Sequence, residues 1–270
     1  MKATFLVDNI GGCGLEGEWG LSVFIEYMDK KILLDAGASN LFLENAKSLG
    51  VDLEAVDYAV LSHAHYDHAN GMEGFFEINR KAKFYIQKSV EENVYAKKWI
   101  FKKYIGIPKG ILEQRKDRIE KVSGNFKLCD GVYIIPHSTD GLEEVGKREK
   151  MYIKTKYGLK PDCFAHEQSL VFDTEKGLVI FNSCSHGGAA NIINEVSSAF
   201  PGKKVYAMLG GFHLHNKSEK YIVDFASKVK ETGVEYVCTG HCTGDASYEV
   251  LKRELGDICN KISVGLVVEF

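Results

Sequence analysis

The run Leu61-Ser62-His63-Ala64-His65-Tyr66-Asp67-His68 packs three imidazoles and a carboxylate into six positions. At neutral pH a histidine offers a neutral nitrogen and an aspartate an anionic oxygen, the donor types that suit zinc and neighbouring divalent metals. The run reads as a metal site. With nine histidines in 270 residues, three at fixed positions arise by chance in about one such chain in a hundred, before Asp67 is required.

The elements on either side would position these groups. Tyr58-Ala59-Val60-Leu61 is a short apolar run of buried-strand type, and Asp67 opens a stretch suited to a helix start. The donors then sit on a strand-to-helix loop, with His63 and His65 aimed at one ion and Asp67 and His68 at a second. Upstream, the run Ile32-Leu33-Leu34-Asp35-Ala36-Gly37 ends an apolar strand on a carboxylate. A carboxylate buried there needs a partner, either a ligand imidazole or a backbone amide; the plainer reading is a turn aspartate. Residues 3 to 7, 21 to 27 and 31 to 36 read as antiparallel strands, and Ser39 to Gly50 as a helix. The loop from Asn9 to Gly20 carries five glycines and is either a close backbone approach to the site or a surface loop.

From 73 to 161 the pattern loosens into a basic, aromatic-bearing insertion within a single domain spanning 1 to 270. Nine basic residues fall between Lys97 and Lys121, interleaved with Trp99, Phe101 and Tyr104. Lys97, Lys98, Trp99, Lys102 and Lys103 are the candidates for a lid that receives an anionic substrate; the competing reading is a solvated surface. From His166 onward strands and helices alternate: strands at 169 to 174, 177 to 183, 204 to 209, 235 to 239 and 262 to 269, and helices at 189 to 200, 218 to 232 and 245 to 255. Three histidine-bearing punctuations follow strands there: Ser183-Cys184-Ser185-His186-Gly187-Gly188, Gly210-Gly211-Phe212-His213-Leu214 and Thr239-Gly240-His241-Cys242-Thr243-Gly244.

The composition, 45% hydrophobic and 26% charged with net charge -3, is that of a soluble globular protein and favours no nucleic-acid partner. No apolar run of about 20 residues is present, so a cytoplasmic, membrane-free protein is expected. Seven cysteines without a Cys-x-x-Cys pair or a disulfide spacing suit a reducing compartment.

Taken together, His63-x-His65-x-Asp67-His68, the Leu34-Asp35-Ala36-Gly37 turn and the late Thr239-Gly240-His241 resemble the metallo-β-lactamase-fold superfamily. The three second-half motifs are similar to its branch named for a dihydropteroate-synthase-like enzyme of methanopterin biosynthesis. The resemblance implies a four-layer αββα sandwich with a metal site along the top of its sheets. It implies that His63, His65 and His186 hold one ion and Asp67, His68 and His241 the other. One departure stands out: the superfamily's usual bridging Asp is missing after Val179-Ile180-Phe181-Asn182-Ser183, and Cys184 stands nearest its place. The usual third histidine also precedes that hairpin, so His166 and Glu167 compete with His186.

The chemistry expected is hydrolysis of an ester, lactone, amide or phosphoester bond in a small anionic molecule by metal-activated water. Asp67 orients the water and His213 is a second catalytic candidate. Zinc is the first choice of metal, with iron and manganese as alternatives, and one or two ions bound. The branch implies a transferase joining a pterin-methyl diphosphate to an aminobenzene-ribosyl phosphate, and a non-catalytic metal-binding protein is a further alternative. A homo-oligomer is compatible with the sequence.

Overall fold

The computed structural model describes all residues except Ile100, Ser138 and the side chain of Lys98. Its strands are β1 (Lys2–Val7), β2 (Ser22–Tyr27), β3 (Lys30–Leu34), β4 (Tyr58–Val60), β5 (Phe84–Gln87), β6 (Val94–Lys98), β7 (Phe101–Tyr104), β8 (Ile119–Val122), β9 (Phe126–Cys129), β10 (Val132–Pro136), β11 (Met151–Thr155), β12 (Gly158–Pro161), β13 (Gln168–Thr174), β14 (Gly177–Phe181), β15 (Val205–Gly210), β16 (Tyr236–Thr239), β17 (Cys259–Lys261) and β18 (Val267–Glu269). The helices are α1 (Leu41–Ser48), α2 (Tyr66–Ala69), α3 (Met72–Ile78), α4 (Ile111–Gln114), α5 (Leu142–Glu149), α6 (Ala189–Ala199), α7 (Glu219–Glu231) and α8 (Asp245–Leu255).

Two seven-stranded sheets, β18-β1-β2-β3-β4-β5-β8 and β17-β16-β15-β14-β13-β10-β9, pack face to face. Strand residues alternate between two faces, and here both faces are covered, so the central strands read as continuous apolar runs. Val179 and Phe181 of β14 join Phe5, Val23, Ile25, Ile32 and Leu34 in the core between the sheets. Their neighbours Leu178 and Ile180 point the other way, into the layer formed with α6, α7 and α8. On the opposite side Leu33 and Phe24 meet Phe42 of α1 and Phe75 and Phe76 of α3. The result is the expected αββα sandwich. Phe5, Phe172 and Phe181 are all but fully buried between the sheets, and truncating any one to alanine would cost about 3–5 kcal/mol.

Each sheet turns parallel towards one end: β3, β4, β5 and β8 in the first, and β14, β15, β16 and β17 in the second. Parallel strands send all their carboxyl ends to one edge, where loops converge on ligands. Asp35 follows β3, His63 to His68 follow β4, Cys184 and His186 follow β14, His213 follows β15 and His241 follows β16.

Two expectations are corrected. The stretch 73–161 is not one inserted layer. Its strands β5 and β8 extend the first sheet and β9 and β10 the second, because they bring buried side chains such as Phe84, Ile86, Val132 and Ile134 to those cores. What stands apart is the four-stranded sheet β12-β11-β6-β7. Of the expected final strand over 262–269 only the end forms, as β18 beside β1; β17, beside β16 in the other sheet, lies just before it at Cys259–Lys261. Glycine at 265, with φ +79°, lies in the crossing between them.

Candidate metal centre

The geometry begins at Asp35, which is fully buried and held at φ +58°, a left-handed conformation that aspartate tolerates better than most residues. Its Oδ1 accepts from the Ser62 amide at 2.7 Å. Its Oδ2 accepts from Ser62 Oγ at 2.6 Å, Ser183 Oγ at 2.6 Å and His68 Nδ1 at 2.8 Å. One carboxylate thus joins both halves of the chain and turns His68 so that Nε2 faces the cluster. Ser62 Oγ, having donated to Asp35, accepts from His63 Nδ1 at 2.9 Å, which frees His63 Nε2 in the same sense. Asn9 Oδ1 lies 3.0 Å from His241 Nδ1, and Glu167 bonds His186 Nδ1. Each of these imidazoles has one nitrogen tied by a hydrogen bond, the arrangement that fixes the tautomer of a metal-binding histidine.

The other nitrogens converge. His63 Nε2 and His65 Nδ1 are 3.0 Å apart, and His68 Nε2 and His241 Nε2 are 3.2 Å apart. Asp67 Oδ2 lies 3.5 Å from His241 Nε2. Donor atoms of His63, His65 and His186 lie within 4.8 Å of one another, as do those of Asp67, His68 and His241. The buried His65 Nε2 and His186 Nε2 have no hydrogen-bond partner among the described residues. Burial and the neighbouring imidazoles hold His63 and His65 well below the ordinary histidine range, in the neutral form that coordination requires. Burial also lowers His186 and His241. Burial opposes charge on His68 too, but Asp67 and Asp35 raise it to about 9. The donor set fits divalent metal, with His68 giving up its proton on coordination.

The competing donors separate clearly. His166 Nδ1 accepts from the Ala64 amide at 3.2 Å and its Nε2 meets Asp162 at 3.1 Å. Although His65, Asp162 and His166 also converge, both nitrogens of His166 are already bonded. Glu167 sits between His186 and His137 Nε2, the latter at 2.8 Å, and His137 continues to Glu195 at 3.2 Å. Glu167 is thereby placed to orient His186. Cys184 Sγ lies 3.4 Å from His68 Nε2, beside both imidazole pairs, and 3.5 Å from Cys242 Sγ. Cys242, which the sequence reading passed over, accepts from the His213 amide at 3.3 Å. Burial opposes its charge, but the Cys184 thiol, His241 and His213 favour the Cys242 thiolate.

His213 also has positive φ, +50°. Its Nε2 is 3.6 Å from Glu149 and its Nδ1 has no partner among the described residues. The glycine-rich loop is a close approach: a Cβ on Gly20 would lie 2.7 Å from the Asp67 carbonyl oxygen, and Trp19 packs on His241 and His215.

The lysine candidates fare differently. Lys97 and Lys102 face each other across β6 and β7, and Trp99, 85% exposed, lies at their turn. None of the three lines the 330 Å³ cavity that reaches His186 and His213; Arg148, Lys217 and Lys228 do. Lys103 comes nearest the motif, its Nζ 5.7 Å from the Tyr66 ring. The side chain of Lys98, also a candidate, lies outside the described residues. The physical reason for the difference is that β6 pairs with β11 on one side and β7 on the other in a separate sheet, whose exposed face leaves these side chains to solvent.

Residues 20–148 match the model of the metallo-beta-lactamase superfamily. A protein of Methanocaldococcus jannaschii named 7,8-dihydropterin-6-methyl-4-(beta-D-ribofuranosyl)-aminobenzene-5'-phosphate synthase is 30% identical over 269 residues, covering 93% of this chain and 90% of its own. The chain belongs to the metallo-β-lactamase superfamily. A solved metallo-β-lactamase-superfamily structure, described as a metal-dependent hydrolase, superposes with a TM-score of 0.84 at 27% identity over 100% of this chain and 99% of its own. A diphosphatase of the PhnP family, 15% identical, shares the metallo-β-lactamase fold at a TM-score of 0.59, covering 100% and 97%. Members of this superfamily fold carry divalent metal, and the His/Asp cluster described above is where this chain would hold it.

Proposed function

We propose that this protein is a metal-dependent hydrolase that cleaves an ester-type bond, carboxylic or phosphoric, in a small anionic molecule. The observation that carries the reading is the convergence of buried imidazoles and Asp67 on two adjacent positions beside a cavity. His63, His65 and His186 would hold one ion and Asp67, His68 and His241 the other, with the Cys184 thiol close beside both; zinc suits the nitrogen and sulfur donors. Such ions supply a water acidified to near neutral pH and neutralise charge developing on the oxygen under attack. The chain's own residues do the rest. Asp67 Oδ2, near His241 and His68, accepts a proton from the attacking water and orients it. His213, with Nδ1 free at the cavity wall, delivers a proton to the leaving oxygen. Trp19 and the close-packed Asn9 to Gly20 loop keep bulk water from the opposite side.

Metal-loaded protein should turn over at least one class in a panel of chromogenic phosphate esters, carboxylic esters and lactones, and lose that turnover when dialysed against a chelator. A second reading has its own support in the 30% identity to the synthase over 93% of the chain. There the same cluster neutralises a departing diphosphate while an arylamine displaces it. Silence across the hydrolytic panel, with consumption of a pterin-methyl diphosphate and an arylamine, would replace the first reading by the second.

The role of Cys184 has a separate test. Replacing it with alanine removes the sulfur 3.4 Å from His68 Nε2 and should lower bound metal from two ions per chain toward one. In the cobalt-loaded protein the sulfur-to-metal charge-transfer absorption should fall with it. Full occupancy and an unchanged spectrum would leave Cys184 a packing residue. Loss of Glu167 has a smaller expected effect: Glu167→Gln should weaken metal affinity about 10–100-fold, as removal of a carboxylate that orients a ligand histidine does.

A further inference from the structure

The 330 Å³ cavity beside His186 and His213 is framed by the Ser185 to Gly188 loop, the start of α6, the end of α5 and one face of α7. Its floor has unused hydrogen-bonding capacity. Ser185 is 2% exposed, lines the cavity, and its Oγ has no partner among the described residues. α6 is 11 residues long and has no side-chain cap: glycine occupies its N-cap position with φ +87° and ψ 132°. The amides of its first turn have no carbonyl within the helix to bond and carry the positive end of the helix dipole. A Cβ on Gly188 would meet nothing nearer than Asn191 Nδ2 at 3.9 Å, so this helix start is open to the cavity rather than packed.

The charges on the walls are balanced in number, Arg148, Lys217 and Lys228 against Asp140, Glu149 and Asp224. Arg148, Lys217 and Glu149 are tied to one another, which leaves Lys228, Asp140 and Asp224 without an ion pair among the described residues. Glu149 bonds Lys217, Arg148 and Asn216; burial opposes its charge, but the bonds with His213, Lys217 and Asn216 hold its carboxyl well below the usual range. Its charge is spent inside the wall. Lys228, on the exposed face of α7, has no ion-pair partner among the described residues and lines the same cavity.

We infer that this cavity is a phosphate subsite: the first-turn amides of α6 and Ser185 Oγ receive the oxygens of a non-reacting phosphate group, and Lys228 adds charge at the rim. The substrate class that follows is a phosphorylated small molecule whose scissile bond lies at the metal cluster and whose phosphate is a handle, binding energy from a remote group being used to place the reacting one. The placement of the scissile bond rests on the function proposed above; phosphate binding itself does not.

The test uses metal-loaded protein and inorganic phosphate as the probe, followed by calorimetry. Ala190, half-buried in the first turn of α6 and lining the cavity, is the informative position. Ala190→Glu places a carboxylate at a helix N-terminus, where it leaves the fold as stable or more so, yet puts negative charge where the phosphate would sit. Expected are a rise in phosphate Kd of about tenfold or more in Ala190→Glu, a rise of about threefold in Lys228→Glu, unchanged metal content in both, and retention of phosphate binding in His63→Ala. Phosphate binding that is lost in His63→Ala and untouched in Ala190→Glu would place the anion on the metals and overturn the inference, as would no binding by wild type at about 10 mM phosphate. If phosphate binds as expected but no ester is cleaved, the hydrolase reading falls and the subsite stands. If esters are cleaved and KM for phosphorylated substrates is the same in Ala190→Glu as in wild type, the subsite falls and the hydrolase stands.

Discussion

His63→Ala should remove the ion bound with His65 and His186 and lower kcat/KM by about a thousandfold or more, since metal stabilisation of transition-state charge is worth several kcal/mol and each 1.36 kcal/mol is tenfold. The geometry makes this the sharpest single substitution at the site. His63 Nε2 lies 3.0 Å from His65 Nδ1, and its ring packs against His65, His68 and His186, so it touches members of both donor groups. Its loss also strands Ser62 Oγ without its partner at 2.9 Å. Metal analysis should show at least one ion fewer per chain. The matched control is His166→Gln. His166 stacks near His63, with ring centroids 6.2 Å apart, but its nitrogens are committed to Ala64 and Asp162. That variant should keep its metal, whatever it costs in stability. Equal metal loss in the two variants would mean that the cluster responds to packing and that His63 is no ligand.

Much of this site was legible because its donors come from loops that follow strands, and strand ends are marked in the sequence by a change from apolar runs to Gly, Ser and His. His186 and His241 were found on that signal. The pairings of two carboxylates are not legible, because they join residues far apart in the chain: Glu167, a rival ligand by sequence, to His137 and His186, and Glu149 to His213 and Lys217. No local pattern marks such pairs. Cys242 has a local signal, its place directly after His241, but a free cysteine is ordinarily a buried hydrophobe, so that place alone does not set it apart. The lysine run at 97 to 103 misled for a different reason. A charge run states that a face is wet without saying which cavity it borders, and the pairing of β6 with β11 puts that face on a small separate sheet. The sandwich itself followed from the periodicity of its two halves. Where it misplaces elements, as at 262–269, Val264, Leu266, Val267 and Val268 carry a strand-like signal across a turn between the sheets.

Asp35→Asn should unfold part of the population and empty the metal site in the rest, although it changes one atom. The Asp35 carboxylate takes four donors, one on Oδ1 and three on Oδ2, in a position with no exposure to water. An asparagine offers one oxygen with two lone pairs and an NH2 that can only donate. If its oxygen faces Ser62 Oγ, Ser183 Oγ and His68, the NH2 confronts the Ser62 amide. If it is turned over, the NH2 confronts the other three. Either orientation sets donors against donors in a buried site, and the negative charge that balances His68 is gone. Removing one partner of a buried charged pair costs about 3–5 kcal/mol, a large part of a marginal stability. Because Asp35 bonds Ser62 and His68 in the first half and Ser183 in the second, that loss is felt across the seam between the sheets. In the molecules that stay folded, His68 loses the acceptor that turns Nε2 toward His241, and metal affinity should fall about 10–100-fold. Thermal unfolding measured with and without saturating metal separates the two effects. Stability lost in both conditions reports the buried hydrogen bonds, and a smaller shift of Tm on adding metal reports the misdirected imidazole. A variant with the parent's Tm and the parent's metal-induced shift would show that Asp35 is an ordinary turn residue and that His68 is oriented by something else.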